Sequence, residues 1–179
     1  MIYVLLADGF EEIEALTVVD VLRRAELDVV TVGIGGTSVC GAHGIPVIAD
    51  VADTLLTVDD MQAVVLPGGM PGTLHLEQSA LVSQLLDYAL SHDAYIAAIC
   101  AAPSILGHRG LLKGRRAVCF PGFEEQLEGA VLSEEPVVQD GRIITAKGAG
   151  VAIAFGLQLV SELVSPKRAA SLKAAMQCR

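Results

Sequence analysis

Residues 95–103, YIAAICAAP, decide how this chain reads. Five apolar residues ending at Ile99 form a run of strand length, and Cys100 then opens a segment over residues 101–106 that reads as the start of a helix. A continuous apolar run, rather than an alternating one, is the mark of a strand covered on both faces. The same pattern recurs along the chain. Residues 2–7 stop at Asp8-Gly9, residues 63–66 stop at Pro67-Gly68-Gly69, and residues 28–33, 45–49, 116–120 and 142–146 are further short strands. Between them lie helical stretches: residues 11–26, led by acids and closed by Arg23 and Arg24, then 78–91, 148–164 and a segment led by Pro166. Strand alternating with helix predicts an α/β fold, a doubly wound parallel sheet with helices on both faces, in one domain over residues 1–179. In such sheets ligands sit beyond the carboxyl ends of the strands, so chemistry is expected in the turns after Ala7, Leu66, Ile99, Phe120 and Ala146.

Composition narrows the function. Apolar residues make up 53% of the 179, charged residues 18%, and aromatic residues only 4% with no Trp, so an aliphatic core is expected. Twelve Lys and Arg against 21 Asp and Glu give a formal charge of -9, which disfavours nucleic acid as a direct ligand. No apolar run has the length of a membrane span, and residues 2–7 lack the basic flank of a signal peptide, so a cytoplasmic protein without membrane association is expected. Cys40, Cys100, Cys119 and Cys178 are scattered without a CxxC pair or a histidine at metal spacing, so neither a disulfide framework nor a metal site is expected.

Cys100 differs from the other three by its position on a strand-to-helix turn flanked by Ala98 and Ala102. Small neighbours suit a strained nucleophile turn, and a helix N-terminus lowers a thiol pKa. A packed, inert cysteine is the competing reading. No histidine is an obvious base. His108 lies too far along the helix and His92 falls at the opposite edge of the sheet, while His43 and His75 fall in loops. A carboxyl is the alternative proton carrier. On a helical projection Glu11 and Glu14 share the arc of Ala15, Val18, Val21, Leu22 and Ala25, while Glu12, Asp20, Arg23 and Arg24 fall outside it. Glu11 suits the helix dipole. Glu14 is deeper, and a buried acid there would carry a raised pKa and could hydrogen-bond a thiolate; a structural carboxyl bound to a backbone amide is the rival reading. Gly68-Gly69 can point backbone N–H groups into a cavity, and Gly69 with Ala101 would supply two oxyanion donors, although a Gly-Gly pair also serves as a plain turn.

The segments ADGFEEIE (7–14), LPGG (66–69), AAICAAP (97–103) and KGAG (147–150) together resemble the DJ-1/ThiJ/PfpI superfamily, and its DJ-1 branch over nearly the whole chain. The resemblance implies a flavodoxin-like sandwich, a homodimer, an oxidation-prone Cys100, a protonated Glu14 hydrogen-bonded to it, and oxyanion donors at Gly69 and Ala101. Two positions depart from the pattern. Phe120-Pro121 stands where many members carry a histidine before proline, as in bacterial DJ-1-like members that lack it, and His43 stands where an arginine is common. A Cys–His dyad is therefore not expected, and without a late His-x-Glu neither is amidotransferase chemistry. The activity implied is a cofactor-independent glyoxalase III or deglycase acting on 2-oxoaldehydes such as methylglyoxal. The alternative is a redox-sensing stress protein or chaperone whose cysteine is oxidised to sulfinate; a thiol hydrolase or peptidase is a third reading, disfavoured by the absent histidine.

Overall fold

The computed structural model describes residues 1–58 and 60–178. In chain order its elements are β1 (Ile2–Leu6), α1 (Glu12–Arg24), β2 (Val29–Gly33), β3 (Ser38–Cys40), β4 (Pro46–Ile48), β5 (Val51–Ala52) and β6 (Ala63–Leu66). There follow α2 (Gly72–Gln78), α3 (Ala80–Ser91), β7 (Tyr95–Ile99), α4 (Pro103–His108), β8 (Arg116–Ala117), β9 (Val131–Leu132), β10 (Val137–Asp140), β11 (Ile143–Ala146), α5 (Ala152–Leu163) and α6 (Pro166–Ala175). The central sheet has the order β10-β11-β7-β6-β1-β2-β5. Every pairing in it is parallel except β10 with β11.

The apolar strands alternate between two cores. Ile2, Val4, Leu6, Val65, Ala97 and Ile99 face α1, α5 and α6, where they meet Val18, Leu22, Phe155 and Leu159. Tyr3, Leu5, Val64, Leu66, Ile96 and Ala98 face α3 and α4, meeting Leu85, Leu86, Ile105 and Leu106. With a side-chain period of two and helices on both faces, every position of β1, β6 and β7 is buried, hence the unbroken runs. A Cβ on Gly156 would lie 3.1 Å from Val21, so a glycine there lets α5 close onto α1.

Several sequence expectations are corrected. The helix read over residues 78–91 is α3, which begins at Ala80, and residues 72–78 form a further helix, α2, separated from it by Ser79, whose backbone is extended (φ -76°, ψ 125°). Residues 46–48 pair with residues 38–40 in an antiparallel hairpin outside the main sheet. Residues 116–117 pair with residues 131–132 in a second small sheet, so the segment before Phe120 is not a strand of the central sheet. His75, expected in a loop, lies on α2. The strand order reverses at β1, with β2 on one side and β6, β7 and β11 on the other, so the turns after β1, β6 and β7 converge at one end of the sheet.

Candidate functional site

Cys100 stands immediately after β7 with φ +65°, the left-handed region that a residue with a Cβ occupies only when its surroundings impose it. Both of its backbone groups are held. Its N–H donates to the Ala146 carbonyl at 2.9 Å, and its carbonyl accepts from Phe120 N–H at 2.8 Å. Cys100 as a whole is half-buried.

Glu14, in the first turn of α1, is 1% exposed. Its Oε2 accepts from Gly68 N–H at 2.9 Å, and the carboxyl lies beside the Cys100 thiol, close enough for each group to shift the other's pKa. Among the described residues Oε1 is the one buried side-chain polar atom with no well-aligned partner. A buried carboxyl with one oxygen unpartnered is favoured in its neutral form, since ionisation would leave a charged acceptor unsatisfied. Burial, opposed by the hydrogen bonds from Cys100 and Gly68, pushes Glu14 up to about 7. Gly68 makes the encounter possible: a Cβ there would lie 2.6 Å from Cys100 Cβ and 2.7 Å from Glu14 Oε2. Gly69 has φ +92°, and a Cβ on it would meet the backbone of Gly9, Phe10 and Glu11 at 2.4–2.7 Å. The backbone amides of Gly69 and Ala101 lie close enough to Cys100 to favour its thiolate.

The expected fall in the thiol pKa is overturned. Burial, the charge of Glu14 and its hydrogen bond push Cys100 up to about 12, against the smaller opposing effect of the two amides. The physical reason is placement. The helix α4 begins only at Pro103 and spans six residues, so its dipole is weak at Cys100, whereas a carboxylate is in contact. Proton and negative charge are thus shared by a carboxyl and a thiol that compete for them.

The other sequence candidates lie around this pair rather than in it. Glu11 is the N-cap of α1, its Oε1 accepting from Ile13 N–H at 3.4 Å, and its backbone N–H donates to Gly68 O at 2.9 Å. Its charge also raises Glu14. Glu12, assigned by helical projection to the solvent side, is instead 5% exposed. The β3–β4 hairpin folds over it, and Glu12 accepts from His43 N–H (Oε1, 2.8 Å) and His43 Nδ1 (Oε2, 2.8 Å). Gly41 supplies the room, since a Cβ there would lie 2.2 Å from Glu12 Oε1. No helical projection could have found this contact, because the covering element comes from 30 residues further along the chain. His43 is exposed and lies 3.6 Å from Glu11 Oε2. Glu11, Glu12 and His43 are the described residues grouped closely enough to hold a metal ion, but the Glu12 oxygens are already engaged by the hairpin. The remaining histidines are committed elsewhere: His75 donates to Asp8 O, His92 stacks on Tyr88, and His108 bridges Glu77 and Gln126.

Two backbone groups from segments the sequence singled out, Phe120-Pro121 and KGAG (147–150), complete the site. The Ala149 N–H donates toward Glu14 from the turn after β11, and Phe120 N–H fixes the Cys100 carbonyl. The Phe120 ring itself packs over Gly148 and is 47% exposed. A cavity of about 670 Å³ between α5 and α6, lined by Ile153, Leu157, Ala169 and Met176, includes none of the residues around Cys100.

The pattern of the DJ-1/PfpI family matches residues 1–162. The chain belongs to the DJ-1/PfpI family. This family member is similar to protein dj-1beta of Drosophila melanogaster, 36% identical over 168 residues, covering 92% of this chain and 90% of the relative. It is 32% identical over 164 residues to the glutathione-independent glyoxalase DJR-1.2 of Caenorhabditis elegans, covering 90% and 87% of the two chains. Among solved structures, oxidized Toxoplasma gondii DJ-1 superposes on this DJ-1/PfpI member with a TM-score of 0.94 at 32% identity, covering 98% and 97% of the chains. The sheet order and helix layers are those of the flavodoxin-like DJ-1 fold. Among the described residues no helix is long and apolar enough to cross a membrane.

Proposed function

We propose that this protein is a cofactor-independent enzyme of the glyoxalase III or deglycase type, acting on 2-oxoaldehydes through Cys100. The observation that carries this reading is the convergence of three groups on Cys100, the Glu14 carboxyl and the backbone amides of Gly69 and Ala101, each of which acts on its thiol. The sulfur adds to the aldehyde carbon while Glu14 takes the thiol proton, forming a hemithioacetal. The two amides hold the developing oxyanion. Glu14 then carries the proton from the former aldehyde carbon to the neighbouring carbonyl carbon, and water hydrolyses the resulting thioester to the 2-hydroxy acid and the thiol. A Glu14 pushed up to about 7 exchanges protons readily at neutral pH, whereas the raised thiol makes attack the costly step and the enzyme slow. The name of the Caenorhabditis elegans relative supports the same activity. In purified protein, Cys100→Ala abolishes lactate formation from methylglyoxal; activity retained in that variant rejects the assignment.

A second reading has its own support in the oxidized Toxoplasma relative: Cys100, a half-buried residue, as a sensor whose sulfur is oxidised to sulfinate by two equivalents of peroxide, with Glu14 as hydrogen-bond donor to the product. Selective addition of two oxygens at Cys100 under mild peroxide, in a protein that turns over no aldehyde, favours the sensor. We further propose a homodimer in the cytoplasm. Exposed Ile13 and Leu16 on α1 and Ile45 and Ile48 beside the hairpin offer an apolar surface for a second copy, and four free cysteines suit a reducing compartment.

A further inference from the structure

We propose that Phe120 is the specificity-determining residue of the Cys100 site, and that it selects carbonyl substrates bearing a flat apolar substituent, an aryl group above all, over those bearing hydrogen or methyl. The substrate class rests on the glyoxalase reading; the selecting surface rests on geometry alone.

Phe120 is bound to the reactive turn through its backbone, its N–H donating to the Cys100 carbonyl at 2.8 Å. Its position is therefore set by the same hydrogen bond that holds the nucleophile's peptide. Its ring lies against Gly148, where a Cβ would be 3.2 Å from Cδ2 and 3.8 Å from Cε2. That same point is 3.8 Å from Glu14 Oε1, the oxygen without a well-aligned partner. One glycine thus separates the aromatic ring from the proton-carrying carboxyl, with the ring on the outer side. A phenyl ring is a large apolar surface that burial ordinarily claims, yet 47% of this residue faces solvent. Met70, which directly follows Gly69 in the chain, is also apolar and 48% exposed. The inner part of the site is polar, with Glu14 held by Gly68 N–H and the amides of Gly69 and Ala101 beside Cys100. The rim that the structure shows beside it is the Phe120 ring lying against Gly148. A molecule whose carbonyl reaches the sulfur leaves its substituent against this rim. Hydrogen or methyl covers little of a phenyl face, whereas an aryl substituent stacks on it, and a ring-on-ring contact of this kind changes a rate constant by about three- to tenfold.

The test compares two electrophiles that differ only in this substituent, phenacyl bromide and bromoacetone, on wild type, Phe120→Ala and Phe120→Leu. In both reagents the sulfur displaces bromide from the same kind of α-carbon and the thiol proton is released, so turnover is not needed. Modification of Cys100 is followed by peptide mass spectrometry, which separates it from Cys40, Cys119 and Cys178. The phenacyl-to-acetonyl rate ratio, normalised to that of N-acetylcysteine, falls about three- to tenfold in Phe120→Ala and by less in Phe120→Leu. An unchanged or increased ratio in a folded variant overturns the proposal; if the alanine variant does not fold, the leucine variant decides. In parallel, kcat/KM for phenylglyoxal relative to methylglyoxal falls by a similar factor, and a turnover ratio unmoved by the substitution overturns the proposal as well. A wild type that turns over neither oxoaldehyde, while its alkylation ratio depends on Phe120, refutes the glyoxalase reading and leaves the selecting ring established.

Discussion

Replacing Glu14 by glutamine isolates the energetic consequence of burying an acid beside Cys100. In the folded protein burial raises the carboxyl from its ordinary 4.5 to about 7, so folded Glu14 keeps a proton that the unfolded chain has already released. The sign follows from linkage. Below about pH 4.5 Glu14 is protonated in both states and its contribution to stability is fully present; between about 4.5 and 7 only the unfolded chain ionises, and that contribution is lost as pH rises. At about 1.4 kcal/mol for each pH unit between the two values, the loss amounts to about 3 kcal/mol and levels off above pH 7. Glutamine keeps an acceptor for the Gly68 N–H and has donors for the sulfur but no proton to lose, so its contribution is flat. The melting temperature of Glu14→Gln minus that of wild type should therefore rise with pH. For a chain of this size the rise is about 6–12 °C between pH 4.5 and 8. Thermal unfolding of both proteins over this range measures the difference directly, because every other titrating group is common to both. Parallel curves would show that Glu14 ionises at its ordinary pH in the folded protein, and the proton-sharing account of the site would be withdrawn.

Two further substitutions test the packing. Gly68→Ala forces a methyl to within 2.6 Å of Cys100 Cβ, so it should cost about 1–3 kcal/mol in denaturant unfolding and alter the reactivity of Cys100 toward alkylating agents; normal thiol reactivity would mean that the turn yields easily. Phe155→Ala, at a fully buried position where α5 meets α1 and the sheet, should cost about 3–5 kcal/mol in urea unfolding without altering Cys100 alkylation in the folded fraction.

Much of this architecture is legible in the sequence because burial on both faces leaves an unmistakable imprint. The runs at 63–66 and 95–99 have the bounds of β6 and β7, and residues 2–7 extend β1 by one residue. What escapes is whatever depends on distant partners. The antiparallel edge strand β10 is half exposed and reads like loop, and the two-residue strands β5 and β9 carry too few residues for a period. Glu12 was assigned by the geometry of its own helix, although its environment is set by a hairpin 30 residues away. The elbow at Cys100 and the deep position of Glu14 could be read from small neighbours and helical phase. The direction of the thiol pKa could not, because it depends on whether an amide dipole or a contacting carboxylate dominates, and only the fold brings the latter within reach.

The tethering of Cys100 to Ala146 on one side and Phe120 on the other has a consequence for evolution of the site. A nucleophile moored by two separate segments cannot swing to meet differently shaped reactants, so adaptation must come from whatever borders its approach. The anchored centre can keep its chemistry constant while residues at the entrance change, and a lineage could acquire new preferences there without disturbing the machinery that makes and breaks bonds.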